Sequence, residues 1–203
     1  MAEISFRTLV WLTYKLGATF AFGLPLILLI WASIKKEYSI VRLLSIYWKV
    51  ASLIPISILL LTGDRSIGHL TSFAAPFLLV TSIWFWVDLN EELRDLPHWK
   101  PLNFIVKVWR WIISFFGVIY LSLSFSSLSC IQSLSNQSCN AWKEAPIKSH
   151  IMLKGLFNFL FGANWTESLA AFLGYLALIA YLVGLLQWLL VRFPKQGRIA
   201  GGF

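Results

Sequence analysis

Five long apolar stretches constrain the fold of this chain more than any other feature. A helix of about 20 apolar residues crosses the ~30 Å hydrocarbon layer of a bilayer. The predicted spans are 12–34, 43–61, 67–87, 108–127 and 168–191. Hydrophobic residues make up 58% of the chain and charged residues 13%, which leaves too little polar surface for a soluble domain of 203 residues. The sequence predicts an all-α fold, a polytopic integral membrane helix bundle.

Lysine and arginine residues predict the side of the membrane on which each loop lies. Loops one and three and the C-terminal tail together hold the larger share of the 17 basic residues. Because cytoplasmic loops carry an excess of Lys and Arg, the N-terminus is predicted to lie outside and the C-terminus in the cytoplasm. No basic run or nucleic-acid module is present, so nucleic acid is not a predicted partner.

The cysteines and tryptophans agree with this orientation. Cys130 and Cys139 fall in loop four, on the predicted outer side, where disulfides persist. Their spacing lacks the C-x-x-C pattern of redox sites, which favours a structural disulfide over a catalytic or redox-sensing pair. Tryptophan rings prefer the headgroup level of a bilayer. Seven of them lie near predicted cytoplasmic helix ends: Trp31, Trp48, Trp84, Trp86, Trp109, Trp111 and Trp188.

The outer loop at 128–167 is predicted to contain an interfacial amphipathic helix. His150, Lys154 and Asn158 recur at every fourth position, and apolar residues fill most positions between them up to Phe161. This pattern is typical of a helix that lies in the membrane interface, and a short re-entrant segment is the alternative. The whole chain, 1–203, reads as a single membrane domain with a cytoplasmic tail at 193–203.

Four carboxylates form the most conspicuous polar cluster of the sequence, directly after the third span. Asp88, Glu91, Glu92 and Asp95 have the i, i+3, i+4, i+7 spacing that places side chains on one face of a helix. Such a face would bind a basic partner or a hard cation, because carboxylate oxygens suit both. The alternative is a solvated helix end that nearby Lys and Arg side chains neutralise.

Small residues mark predicted packing faces in the first and last spans. They are Gly17 and Ala21 in the first span, and Ala170, Gly174 and Gly184 in the last. Small side chains let helix backbones approach closely. These faces therefore pack either on another membrane protein or on the other helices of this chain.

Recognisable sites of chemistry are missing from the sequence. No H-E-x-x-H, G-x-S-x-G, Walker A or G-x-G-x-x-G motif is present, and we expect neither an enzyme nor a metal site. No ionisable residue lies near a predicted midplane, which argues against a transporter, although the first span could open around Gly23 and Pro25. We expect no cofactor; His69, near the outer end of the third span, is the one position for a chlorophyll or haem ligand.

Four segments distributed along the chain carry a family resemblance. They are 44–53 (LSIYWKVASL), 84–93 (WFWVDLNEEL), 184–192 (GLLQWLLVR) and 196–203 (QGRIAGGF). They resemble a cyanobacterial family of multi-pass membrane proteins of unknown function, over essentially the whole chain. The resemblance implies a photosynthetic bacterium with plasma and thylakoid membranes, in which the outside is periplasm or thylakoid lumen. It implies no reaction and no site residues.

These features together predict a non-catalytic membrane protein. The predicted role is an accessory or assembly factor for a photosynthetic or respiratory membrane complex, with the lipid bilayer and that complex as partners. A small-solute or ion transporter, in which the carboxylate cluster gathers cations, is the alternative. An enzyme that acts on lipid or pigment is a third hypothesis, because membrane enzymes can lack familiar motifs.

Overall fold

The protein is seen in a computed structural model that describes residues 2–97, 99–125, 128, 130, 137–162 and 164–200. All regular secondary structure in these residues is helical. The elements are α1 (Ala2–Gly17), a π-helical segment π1 (Ala18–Gly23), α2 (Leu24–Lys35), α3 (Tyr38–Ala51), α4 (Leu53–Thr62), α5 (Ile67–Trp84), α6 (Val87–Asp95), α7 (Pro101–Ser124), α8 (Gln137–Phe161), α9 (Glu167–Gln187), a second π-helical segment π2 (Trp188–Arg192) and α10 (Phe193–Gln196).

Five helical segments within the described residues are long and apolar enough to cross a bilayer. They are Arg7–Lys35, Tyr38–Thr62, Ile67–Trp84, Pro101–Ser124 and Glu167–Lys195. The predicted fold class is confirmed, because the chain is an all-α, multi-pass membrane helix bundle. The fourth span begins earlier than predicted, since the helix already starts at a proline, a residue whose fixed φ suits the first helical position.

The two ends of the bundle differ in the features that lie on them, and we name them accordingly. The disulfide end carries α8 and the predicted cysteine pair, Cys130 and Cys139, which lies at disulfide distance with Cα atoms 5.8 Å apart. The carboxylate end carries α6 and its acidic side chains. Consecutive spans run in opposite directions between these two ends.

Helices α4 and α5 form the centre of the bundle, since α4 packs on α5 and α9 and α5 packs on α3 and α7. A Cβ atom on Gly174 would lie 3.1 Å from the Leu60 side chain, and Ala170 is fully buried. Both residues therefore lie at the close contact between α9 and α4. Gly184 does not, because a Cβ atom there would meet nothing within 4 Å. Its predicted packing contact is not found within the described chain.

The first span changes its helical geometry halfway along. Pro25 has no N–H group to donate to the carbonyl of Ala21, four residues earlier. The Tyr47 hydroxyl donates to that carbonyl instead, at 2.7 Å. The preceding turn is the π-helical segment π1, a geometry that is frequent at functional sites. The sequence predicts that the first span could open near this proline. The structure instead has a continuous helix there, with π-helical geometry over π1.

Trp109 was predicted to lie in the interfacial belt, and this prediction is wrong. The residue is fully buried, and its ring centroid lies 5.0 Å from that of Tyr47. Its indole Nε1 donates to the carbonyl of Phe20, in π1, at 3.0 Å. Because the N–H group has an acceptor inside the bundle, the whole ring can be buried in the core.

The two halves of the first span have different neighbours. α2 packs on α3 and α7, and this contact closes the carboxylate half of the bundle around Leu28 and Leu44. α1 packs on α8 and has no extended contact with α4 or α5 over the described residues. Gly17 makes only an ordinary contact, 3.8 Å from its Cβ position to Phe116, whereas Ala21 is buried. The disulfide half therefore contains a gap beside the first span.

Helix α8 crosses the disulfide end and is longer than predicted. Its first half contacts α1, where the Tyr14 hydroxyl donates to the carbonyl of Trp142 at 3.1 Å. In its second half Ile151 is 64% exposed and Phe159 is 85% exposed. The predicted amphipathic segment is thus the second half of a longer helix. The predicted loop residues 129 and 131–136 lie outside the described residues.

Replacing Gly174 by leucine should lower the thermal stability of the protein, because the new side chain would overlap Leu60. Overpacking of this kind costs about 1–3 kcal/mol. Thermal unfolding in a mild detergent, followed by circular dichroism, measures the effect. Gly184→Leu is the matched control, since it brings the same change in helix propensity into open space. Equal melting temperatures of the two variants would contradict the packing of α9 on α4.

Candidate functional site

An apolar cavity of about 430 Å³ lies in the disulfide half of the bundle, in the gap beside the first span. Sites for small molecules commonly have volumes of about 300–1,000 Å³. The cavity is bounded on its sides by the first span and by α4, α5 and α7, and Ala145, Lys148 and Ser149 of α8 line its disulfide end. Its apolar wall includes Phe22, Ile54, Leu61, Leu79, Ile113 and Phe116.

The cavity ends at the packed core of the carboxylate half. On the first span its lining extends to Ala21 and Phe22, and on α7 it extends to Ile113. Next to this closed end, on the side of the carboxylate end, Tyr47 and Trp109 are fully buried and donate hydrogen bonds to carbonyl groups of π1. These bonds connect the first span to α3 and α7. Within the described residues, the cavity therefore does not continue toward the carboxylate end.

Hydroxyl groups of Tyr14, Ser72 and Tyr120 are among those that line the cavity toward the disulfide end. Ser72 Oγ and the Tyr120 hydroxyl oxygen lie 2.9 Å apart, and Tyr14 donates to the carbonyl of Trp142. The rings of Tyr120 and Trp142 contact each other edge to face, with centroids 5.6 Å apart. Hydroxyl groups can both donate and accept hydrogen bonds. The hydroxyl groups of Tyr14, Ser72 and Tyr120 can therefore also bind a polar group on a ligand.

A second, polar cavity of about 490 Å³ adjoins the first at the disulfide end, and we call it the vestibule. Its lining residues are Arg7, Thr8, Trp11, Lys15, Glu144 and Lys148. Trp11, Lys15 and Lys148 line both cavities. The two spaces therefore adjoin along these three side chains, with the apolar cavity on one side and the charged vestibule on the other.

Among the residues that the structure describes, the lining of the vestibule has three cations and one carboxylate. Two nitrogens of the Arg7 guanidinium donate to the two Glu144 oxygens at 2.6 Å, and this bidentate pairing lowers the pKa of Glu144 to about 2. Lys148 Nζ lies 3.9 Å from the same carboxylate and 4.5 Å from the Trp11 ring centroid. Lys15 forms no ion pair within the described part of the chain. The vestibule therefore carries an excess of positive charge.

The four carboxylates predicted as a binding surface lie on α6, at the carboxylate end, and they fall into two pairs. Asp88 and Glu92 face Arg42, whose Nη2 atom lies 3.6 Å and 2.6 Å from their respective oxygens. Glu91 and Asp95 are exposed. In the described ranges no three acidic, histidine or cysteine side chains converge as a metal site requires.

The C-terminal tail docks on the same end of the bundle. The Ala200 N–H donates to both Asp88 oxygens, at 3.0 and 3.1 Å. Arg198 Nε donates to the Phe85 carbonyl at 2.9 Å, and the Val87 N–H donates to the Arg198 carbonyl at 3.1 Å. Asp88 therefore binds the chain's own tail.

The expectation that no ionisable residue lies near the middle of a span is wrong for the fourth span, because it contains the buried cation Arg110. Because α7 begins at Pro101, Arg110 lies well inside the fourth span and is only 5% exposed. It donates to the Ile83 carbonyl at 2.9 Å and to Asn90, and its guanidinium lies 4.1 Å from the Trp84 ring centroid. A cation suits the C-terminus of a helix. Arg110 therefore connects α6 to the end of α5.

His69 lies in the first turn of α5 and is 1% exposed. Its Nε2 atom has no hydrogen-bond partner among the described residues. Neither the apolar cavity nor the vestibule is lined by His69. Ligation of haem or chlorophyll at this position stays a prediction.

Gly17 and Ala21, which the sequence predicts as packing positions, line the apolar cavity, but the polar residues of the two cavities were not predicted. Tyr14 and Lys15 precede π1, Tyr120 lies in the fourth span and Lys148 lies in α8. One signal was available, since Lys15 is a charged residue inside the predicted span 12–34. Tyr120 and Lys148 come close to Lys15 only through the packing of helices that are distant in the sequence.

A comparison with known protein families matches this chain over nearly its whole length. A family model described as "Protein of unknown function (DUF3177)" matches residues 7–201, a range that includes all five spans. No curated protein and no solved structure matches the chain.

Replacing Asp88 by alanine should release the tail from α6, because the Ala200 amide loses both of its acceptor oxygens. A hydrogen bond to a charged group contributes about 1.5–3 kcal/mol, so amide exchange at the end of the tail should accelerate about tenfold or more. Hydrogen–deuterium exchange with mass spectrometry measures this. Glu91→Ala, which removes an exposed carboxylate from the same helix, should leave exchange unchanged. Slow exchange in the Asp88 variant would contradict the docking of the tail.

Proposed function

The chain belongs to DUF3177, a family of proteins of unknown function, and we propose that it is a non-catalytic membrane protein that binds one lipid-like amphiphile inside its helix bundle. The observation that carries this proposal is the apolar cavity of about 430 Å³ that adjoins a charged vestibule. An amphiphile has the same division into an apolar chain and a polar head. Binding sites of this kind are mostly apolar, with a few polar groups that fix orientation.

The location of the cavity distinguishes it from ordinary contact with bilayer lipid. Side chains such as Phe172 and Val183 on α9 are exposed on the outside of the bundle, where any lipid tail can reach them. The cavity instead lies between four helical segments, and Ala75 and Leu79 in its wall are buried. A chain inside it would contact protein on several sides, and the sum of many dispersion contacts would hold it there.

The packed carboxylate half supports a binding role over a transport role. A transport path requires access from both sides of the membrane, whereas the core around Tyr47 and Trp109 closes the route below the cavity. The internal pairing of Asp88 and Glu92 with Arg42 also leaves fewer free carboxylates to gather cations. A small-solute or ion transporter, and an enzyme that acts on lipid or pigment, remain the alternative hypotheses.

We place this binding role in the setting that the sequence predicts. The protein would be an accessory or assembly factor for a photosynthetic or respiratory complex, in a cyanobacterial thylakoid or plasma membrane. Its N-terminus would lie outside or in the lumen and its C-terminus in the cytoplasm, with no cofactor. These finer assignments are supported by the family resemblance and by the distribution of basic residues, and they stay predictions.

Filling the cavity should displace the bound amphiphile. Ala18 lines the cavity, so Ala18→Trp puts an indole ring into the space that the apolar chain would occupy. Native mass spectrometry after extraction in mild detergent should find one amphiphile on the unmodified protein and little or none on this variant. Thr19→Trp is the matched control, because Thr19 is exposed and does not line the cavity. Equal occupancy in both variants, or no occupancy in the unmodified protein, would refute the proposal.

A further inference from the structure

We infer that the bound amphiphile is an anionic lipid, with a phosphate-class head group in the vestibule and its acyl chain in the apolar cavity. This inference rests on the proposed function and adds the chemical class of the ligand and its orientation. It would make the protein selective for anionic lipids over neutral and zwitterionic ones. Three observations support it: the charge of the vestibule, the depth of the apolar cavity and the side chains that line both of them.

The charge of the vestibule favours an anion. Glu144 already accepts two hydrogen bonds from Arg7, so this carboxylate is largely neutralised. Lys148 lies further from it, at 3.9 Å, and Lys15 has no ion pair among the described residues. Both lysines line the vestibule as well as the apolar cavity, so they lie at the boundary between the two. Each ammonium group offers three donors and no acceptor, which suits the oxygens of a phosphate group.

The same arrangement disfavours a zwitterionic head group. The ammonium group of such a lipid would pair best with a carboxylate, and Glu144, the one carboxylate in the described lining of the vestibule, is already paired with Arg7. A neutral head group could hydrogen-bond to Tyr14 and Tyr120, but it would leave Lys15 without an ion pair among the described residues and Lys148 with only its longer contact to Glu144, at 3.9 Å. An anionic head group satisfies both lysines at once.

The depth of the cavity fits one leaflet of a bilayer. Trp11 lines both cavities and, as an amphipathic ring, it suits the headgroup level. Ala21 marks the closed end of the cavity, ten residues further along the first span, a helical rise of ~15 Å. Half of the hydrocarbon layer is also ~15 Å thick. A lipid bound in this way keeps the orientation and depth that it has in the leaflet at the disulfide end.

Lipid binding to the full-length protein, stripped of lipid and held in detergent, tests the inference. The probes are phosphatidylglycerol and phosphatidylcholine with identical acyl chains, and inorganic phosphate alone, each titrated and read by native mass spectrometry or by competition. We expect phosphatidylglycerol to bind about tenfold or more tightly than phosphatidylcholine, because two lysines contact its head group. Inorganic phosphate alone should neither bind tightly nor displace phosphatidylglycerol.

Charge-removing variants localise the preference. Lys15→Gln combined with Lys148→Gln should abolish the preference for phosphatidylglycerol while the weaker binding of phosphatidylcholine remains. Lys154→Gln is the matched control, since Lys154 is an exposed lysine of the same helix, α8, that lines neither cavity. It should bind both lipids as the unmodified protein does. Thermal unfolding verifies that all variants are folded.

The outcomes separate the inference from the proposed function. Equal binding of the two lipids, or a preference that the double variant retains, would overturn the anionic head group and leave amphiphile binding intact. Binding of inorganic phosphate as tight as that of phosphatidylglycerol would overturn the lipid assignment, since the vestibule would then be a site for a free anion. Absence of binding by either lipid to the unmodified protein would overturn both.

Discussion

The missing N–H group of Pro25 is the backbone constraint from which the architecture of the first span follows. It leaves the Ala21 carbonyl available to the Tyr47 hydroxyl, and the neighbouring Phe20 carbonyl accepts from Trp109. These two bonds attach π1 to α3 and α7 at mid-bundle. On the side of the carboxylate end, α2 packs into the core. On the side of the disulfide end, α1 contacts α8 and leaves a gap beside α4 and α5. The cavity thus lies directly above the point where the first span is attached.

The two ends of the bundle use their charges in opposite ways. At the carboxylate end Arg42 pairs with two acidic side chains of α6, Asp88 binds the tail, and Arg110 connects α6 to the end of α5. Charges that are paired within the chain fasten its own elements together. In the vestibule, at the disulfide end, the three cations of the described lining outnumber the one carboxylate, so positive charge is left over. The excess charge at that end is why we place ligand recognition there.

The sequence predicted features that depend on local pattern. Apolar runs located all five spans, and the cysteine pair was recognised from its place in one loop. Features that depend on distant contacts were missed. The local sequence gives no sign that Trp109 donates to the Phe20 carbonyl inside the core or that Asp88 binds the C-terminal tail, more than a hundred residues later. The cavity combines side chains from the first span, α4, α5, α7 and α8, which no spacing rule connects.

The most direct test of this account is an experimental density map of the protein in nanodiscs made from its native membrane. The account predicts elongated density that fills the space between the first span and α4, α5 and α7. This density should begin between Lys15 and Lys148 and end near Ala21. A map in which α1 packs directly against α4 and α5, or in which the cavity is present without such density, would contradict the account.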